Sequence, residues 1–191
     1  MKEPKISRRS VLLTGSAAIL AYHSALDANA ADKKQFQDLD HEKFMRLAIE
    51  KAKKVSNCPF GAVVVNIKTH KVESEGWVEI GKSPIWHGEM SAIRNCPDSD
   101  KGFNWQDMCL YTTGESCPMC QSAIIWTKMP LVVYGSSMPV LQSCGFGEIN
   151  IRAQSVVDAS NYGKCTIIGG VLEDECNELF AHAKKLNQAK G

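Results

Sequence analysis

Apolar positions along this chain switch between two periods, and each switch marks an element. From His41 to Val55, Phe44, Leu47, Ala48, Ala52 and Val55 recur at helical spacing, behind Asp40 as a capping residue. Gly61 to Ile67 is a short β-branched run, and a second strand is predicted over Val72 to Val78 after a turn at Lys68 to Lys71. A helix follows from His87 to Asn95, ended by Pro97, and Cys96 to Asn104 reads as polar loop. Met108 to Thr113 is a strand that runs into a helix opening at Cys117. Leu131 to Gly135 and Cys165 to Gly169 are the fourth and fifth strands, with helices expected over Ile149 to Ser160 and Glu173 to Lys190. Strands alternating with helices predict an α/β fold, a three-layer α/β/α sandwich around a five-stranded mixed sheet.

The first thirty residues fall outside that pattern. Lys2, Lys5, Arg8 and Arg9 form a basic start, and an apolar run from Val11 to Leu26 is interrupted by Gly15, Ser16 and His23. Ala28-Asn29-Ala30 then offers a small-x-small cleavage site. The run is short and broken against the ~20 apolar residues of a membrane-spanning helix. Ser7 to Leu13, S-R-R-S-V-L-L, resembles a twin-arginine export signal. Residues 1–30 are therefore expected to be a signal peptide and 31–191 one domain, with a periplasmic address and no stable membrane span in the mature form. A retained anchor or a disordered tail is the alternative.

Charge narrows the partners. The 191 residues carry 22 basic and 21 acidic side chains, and the densest basic group, Lys51, Lys53 and Lys54, reads as a solvated helix end. That balance argues against a nucleic-acid partner. Of the eight cysteines, Cys58, Cys96, Cys109, Cys144, Cys165 and Cys176 lie outside the motif described next. Several have apolar neighbours and read as small core residues; in an oxidising compartment some would pair, in an order the sequence leaves open.

The chemistry concentrates in two short stretches. In E-S-C-P-M-C-Q-S, Cys117 and Cys120 are three positions apart and so share one helix face. Pro118 suits the first helical position, which puts Cys117 at the cap, near free amides that favour thiolate, the metal-binding form. Upstream, W-H-G-E-M-S opens another predicted helix with His87 and Glu89. His87, Cys117 and Cys120 make three N/S ligands with one position left open, the arrangement of a catalytic Zn²⁺. Glu89 is then the acid–base residue beside a water of lowered pKa. A redox C-x-x-C pair is the competing reading, but it leaves His87 and Glu89 without a task. His41, His70 and His182 read as exposed helix or turn residues, and Trp105 and Trp126 as core.

H-G-E at His87 to Glu89 followed by C-P-M-C at Cys117 to Cys120 resembles the H-x-E…P-C-x-x-C signature of the zinc-dependent cytidine and deoxycytidylate deaminase-like family. The likeness runs from Pro59 to Phe180 and takes in P-F-G-A-V-V-V at Pro59 to Val65 and L-Y-T-T-G-E at Leu110 to Glu115. G-F-G-E at Gly145 to Glu148 and E-C-N-E-L-F at Glu175 to Phe180 resemble the bacterial guanine deaminase branch. The resemblance implies hydrolytic deamination of a free nucleobase or nucleoside, with guanine to xanthine plus ammonia favoured, and a homodimer. The alternatives are a cytosine, cytidine or transfer-RNA adenosine deaminase, or a non-catalytic secreted module stabilised by zinc. Phe60 and Trp86 are candidate stacking partners for a flat base, and the Cys117 backbone N–H a candidate donor to the reacting group. Three positions depart from the family: Ser116 stands for a proline, Trp86 for a small residue, and Val78 for an asparagine used in purine binding.

Overall fold

The computed structural model describes residues 36–189, so the leader expected over residues 1–30 lies outside the described residues. Helix α1 (His41–Ala52) starts where Asp40 accepts a hydrogen bond from the Lys43 N–H at 3.0 Å, an N-cap that satisfies one orphan amide. Its buried face is Phe44, Met45, Ala48, Ile49 and Ala52, turned slightly from the expected stripe, and a 3₁₀ turn over Lys53–Val55 ends it. Next come β1 (Gly61–Asn66), β2 (Val72–Trp77), α2 (Gly88–Arg94), β3 (Met108–Gly114), α3 (Pro118–Thr127) and β4 (Leu131–Ser136). A six-residue helix α4 (Met138–Ser143), α5 (Ala153–Asp158), β5 (Thr166–Gly169) and α6 (Glu173–Gln188) complete the order. Helix α4 was not expected, and α5 begins at Ala153 rather than Ile149.

The five strands form one mixed sheet in the order β2-β1-β3-β4-β5. β1 is antiparallel to both β2 and β3, while β3, β4 and β5 are parallel. β2 and β3 therefore run in the same direction, and their C-terminal ends share one edge of the sheet on either side of the start of β1. The helices that follow them, α2 and α3, open at that edge, where open α/β sheets commonly bind ligands. The layered α/β sandwich read from the sequence is the fold.

Packing on both faces fixes where those helices begin. On one face Ala62, Val64, Leu110 and Val132 join Ala92, Ile124 and Ile125 in a buried cluster under α2 and α3. On the other, Phe44 of α1 packs on Tyr111 with ring centroids 5.2 Å apart. Two glycines permit close approach: a β-carbon at Gly61 would strike the backbone of Ala48 and Ala52, and one at Gly76 the backbone of Gly88 and Ala92. Gly135 of β4 likewise lies against Cys176 of α6, and a β-carbon there would collide with the sulfur. No helix among the described residues is long and apolar enough to cross a membrane.

Candidate metal centre

His87 and Cys117 occupy equivalent places. Each is the N-cap of its helix in extended backbone, His87 at φ −66°, ψ 167° and Cys117 at φ −65°, ψ 165°, and Pro118 takes the first position of α3. One turn into α3, Cys120 is buried. A nitrogen of His87 and the sulfurs of Cys117 and Cys120 lie within 4.8 Å of one another, with His87 Nδ1 3.7 Å from Cys117 Sγ. The structure thus brings together the three residues read as ligands.

Electrostatics agree with a cation site. A hydrogen bond from the Cys120 thiol, helped by His87, holds the Cys117 thiol at about 4 against its burial. Cys120, the donor of that pair, is pushed well above the ordinary thiol value. His87 is raised, chiefly by its hydrogen bond with Cys117. Cys117 is thus held as a thiolate while Cys120 keeps a proton that a divalent cation would displace, and this borderline-soft donor set of two sulfurs and an imidazole suits zinc, whose three-ligand sites keep a position for water.

Glu89 is 3% exposed, in the first turn of α2. Burial pushes its carboxyl up, and the neighbouring Cys117 charge adds to the rise. A shift in that direction suits a carboxyl group to taking and giving a proton near neutral pH. Phe60 packs in an aromatic cluster, with its ring centroid 5.3 Å from Phe146 and 4.9 Å from Phe180. Trp86 carries the Arg94 guanidinium 3.9 Å from its ring centroid, and Arg94 is paired with Glu79 at 2.8 Å. Val78 is buried, and its N–H donates to the Phe60 carbonyl at 3.0 Å. Trp105 is half-buried against Phe103, but Trp126, expected in the core, is 67% exposed and stands with its ring centroid 4.4 Å from that of Tyr162, lining a groove of about 440 Å³.

Glu148 is the residue to which the sequence reading gave no role. Its carboxyl is raised to about 7, first by burial and then by the charges of Cys117 and Glu89. It also acts back on His87 and on Cys58, so it belongs to the electrostatic surroundings of the ligand cluster. Its only sequence signal was the G-F-G-E stretch. Glu115 was likewise unassigned: 3% exposed, it binds Arg152 Nε at 2.8 and 2.9 Å and the backbone N–H groups of Met138 and Ala153 at 2.9 and 3.0 Å.

A family model described as the cytidine and deoxycytidylate deaminase zinc-binding region matches residues 38–136, more than half of the chain. No curated protein matches significantly. Among solved structures, the chain is similar to a guanine deaminase from Nitrosomonas europaea at 20% identity, covering 75% of this chain and 84% of that one with a TM-score of 0.65. NE0047 in complex with 2,6-diaminopurine is similar at 21% identity, 77% and 82% coverage and a TM-score of 0.67. A tRNA:A34 deaminase acting at the wobble position is similar at 22% identity, 72% and 98% coverage and a TM-score of 0.60. At these identities the likeness establishes the fold.

Proposed function

The chain belongs to the cytidine and deoxycytidylate deaminase zinc-binding family, and on that premise we propose that it is a zinc-dependent aminohydrolase that converts guanine and water to xanthine and ammonia. The observation that carries the reading is one imidazole and two thiols within 4.8 Å of one another, with the acidic Glu89 buried two residues beyond His87. His87, Cys117 and Cys120 would hold the metal. Zinc there supplies Lewis acidity, which brings the pKa of water down to about 7.

The chain's own groups do the rest. Glu89 takes one proton from the attacking water and passes it to the ring nitrogen beside the amine-bearing carbon; it then takes the proton of the hydroxyl left on that carbon and gives it to the departing amino group, so that the carbon–nitrogen bond breaks, ammonia leaves and a carbonyl forms. The Cys117 backbone N–H, at the helix start, is offered to the charge that develops on the attacked carbon's oxygen. Glu148 presents a second carboxyl group, suited to the N–H groups along one edge of guanine. Likeness to structures solved with 8-azaguanine and 2,6-diaminopurine supports a purine base as the substrate. In this reading the enzyme works as an exported homodimer on a free small molecule. Sedimentation of the mature chain at twice its mass, and its recovery in a periplasmic fraction, test those two points.

The deciding assay incubates zinc-loaded protein with guanine, guanosine, cytosine, cytidine and adenosine and measures ammonia, with Glu89→Ala as the control. Guanine turnover that falls by several orders of magnitude in a variant still holding zinc is expected. Turnover of cytidine alone would replace the substrate, and none with any base would leave the zinc-stabilised secreted module. A tRNA adenosine deaminase is the second reading, favoured by coverage of 98% of that relative's chain. The net charge of only +1 opposes it, and salt-dependent tRNA binding with inosine formation would revive it.

A further inference from the structure

Glu115 sits at the end of β3, two residues before Cys117, and its own N–H donates to the Ser136 carbonyl of β4 at 2.8 Å. Its carboxylate reaches forward to two places far apart in the chain. Oε2 accepts from the Met138 N–H at 2.9 Å, where α4 begins, and Oε1 from the Ala153 N–H at 3.0 Å, where α5 begins. Arg152 Nε bridges both oxygens at 2.8 and 2.9 Å. One buried anion is thus tied to both ends of the segment 138–153. Between those ends the chain carries Phe146, which packs edge-on against Phe60 and Phe180, and Glu148, which acts on the ligand cluster.

We propose that Glu115 is a positioning residue that fixes both ends of the 138–153 segment and so sets the place of Phe146 against Phe60 and of Glu148 two residues further on. The same residue leads directly into the ligand helix, so a single side chain sets the distance between the metal ligands and the second carboxyl group. Four charge-assisted contacts are stronger and better directed than neutral ones, and losing the charge leaves buried N–H groups facing an amide that can accept fewer of them. The kinetic part of this inference rests on the deaminase reading above; the structural part does not.

The test compares zinc-loaded native protein with Glu115→Gln. Hydrogen exchange at the amides of residues 145–150 should accelerate in the variant while β3 and β4 stay protected. Turnover per bound zinc should fall by about 10²-fold, as expected when a reacting group is misplaced by about 1 Å. In a Glu148→Gln background the same substitution should cost little more, because the two act through one path. Unchanged exchange over 145–150 overturns the tie, and additive kinetic losses overturn the route through Glu148. Should no base be deaminated, the exchange result still decides the structural claim while the proposed activity fails separately. If Glu115→Gln does not fold, Ala153→Pro removes one donor and keeps the charge. Proline is tolerated at that first helical position, and Arg152 already has the extended backbone (φ −68°, ψ 149°) that a following proline requires. Faster exchange over 145–150 is again expected, and none would refute the tie.

Discussion

A hydrogen bond from Cys120 holds the Cys117 thiol down at about 4, while Cys120 itself is pushed well above the usual thiol value, so the two sulfurs are not interchangeable. Replacing Cys120 by alanine removes both a candidate ligand and the donor that stabilises Cys117. Zinc measured by metal analysis should then fall from one per chain to near none, while a redox role for the pair would leave metal content unchanged. Glu148 gives a pH prediction with a definite sign. Its carboxyl is raised from 4.5 to about 7, so between those values the folded protein keeps a proton that the unfolded chain has released. The stability it contributes is complete below about 4.5 and is lost as pH rises through about 7. Glu148→Gln should remove that part of the pH dependence of Tm, measured on chelator-treated protein; identical profiles would count against the assignment.

The elements place the His87, Cys117 and Cys120 cluster through close packing that leaves no slack. Gly76 of β2 lies under the Gly88 and Ala92 backbone, and α2 carries His87 at its cap. Gly76→Ala should cost about 1–3 kcal/mol from overpacking and weaken zinc binding as α2 is pushed outward, as read by urea unfolding and a zinc titration. The strands and the clustering of His87, Cys117 and Cys120 were legible because each rests on local signals: β-branched runs, a proline at a helix start, and two short motifs. Helix α4 was not, because its six residues, M-P-V-L-Q-S, are too few to show a period. Trp126 misled because a large apolar side chain on a helix predicts burial, yet at 67% exposure it stands on the outer side of α3. The contacts of Glu115 span 37 residues to Arg152 and could not be read from spacing at all.

For the molecule as a whole, binding a metal at this cluster would be coupled to folding. His87 and the two cysteines come from helices 30 positions apart, and they converge only when β2, β1 and β3 are paired. A cation that binds this folded arrangement and not the open chain stabilises it by about 2.7 kcal/mol at a hundred times its Kd. Chelation should therefore lower Tm, with zinc restoring it in a concentration-dependent way, and His87→Ala should abolish the response. Differential scanning calorimetry across a zinc series checks this.

The seat of Cys176 against bare Gly135 has a historical corollary. The strand has no room for a methyl group at 135, and trimming 176 to alanine does not make any: the β-carbon of 176 would still lie 2.7 Å and the Thr113 carbonyl 3.0 Å from the new atom. Descendants of this sequence are therefore confined to glycine at 135 unless α6 moves away from β4, and a library randomising both codons together should return glycine there whatever stands at 176.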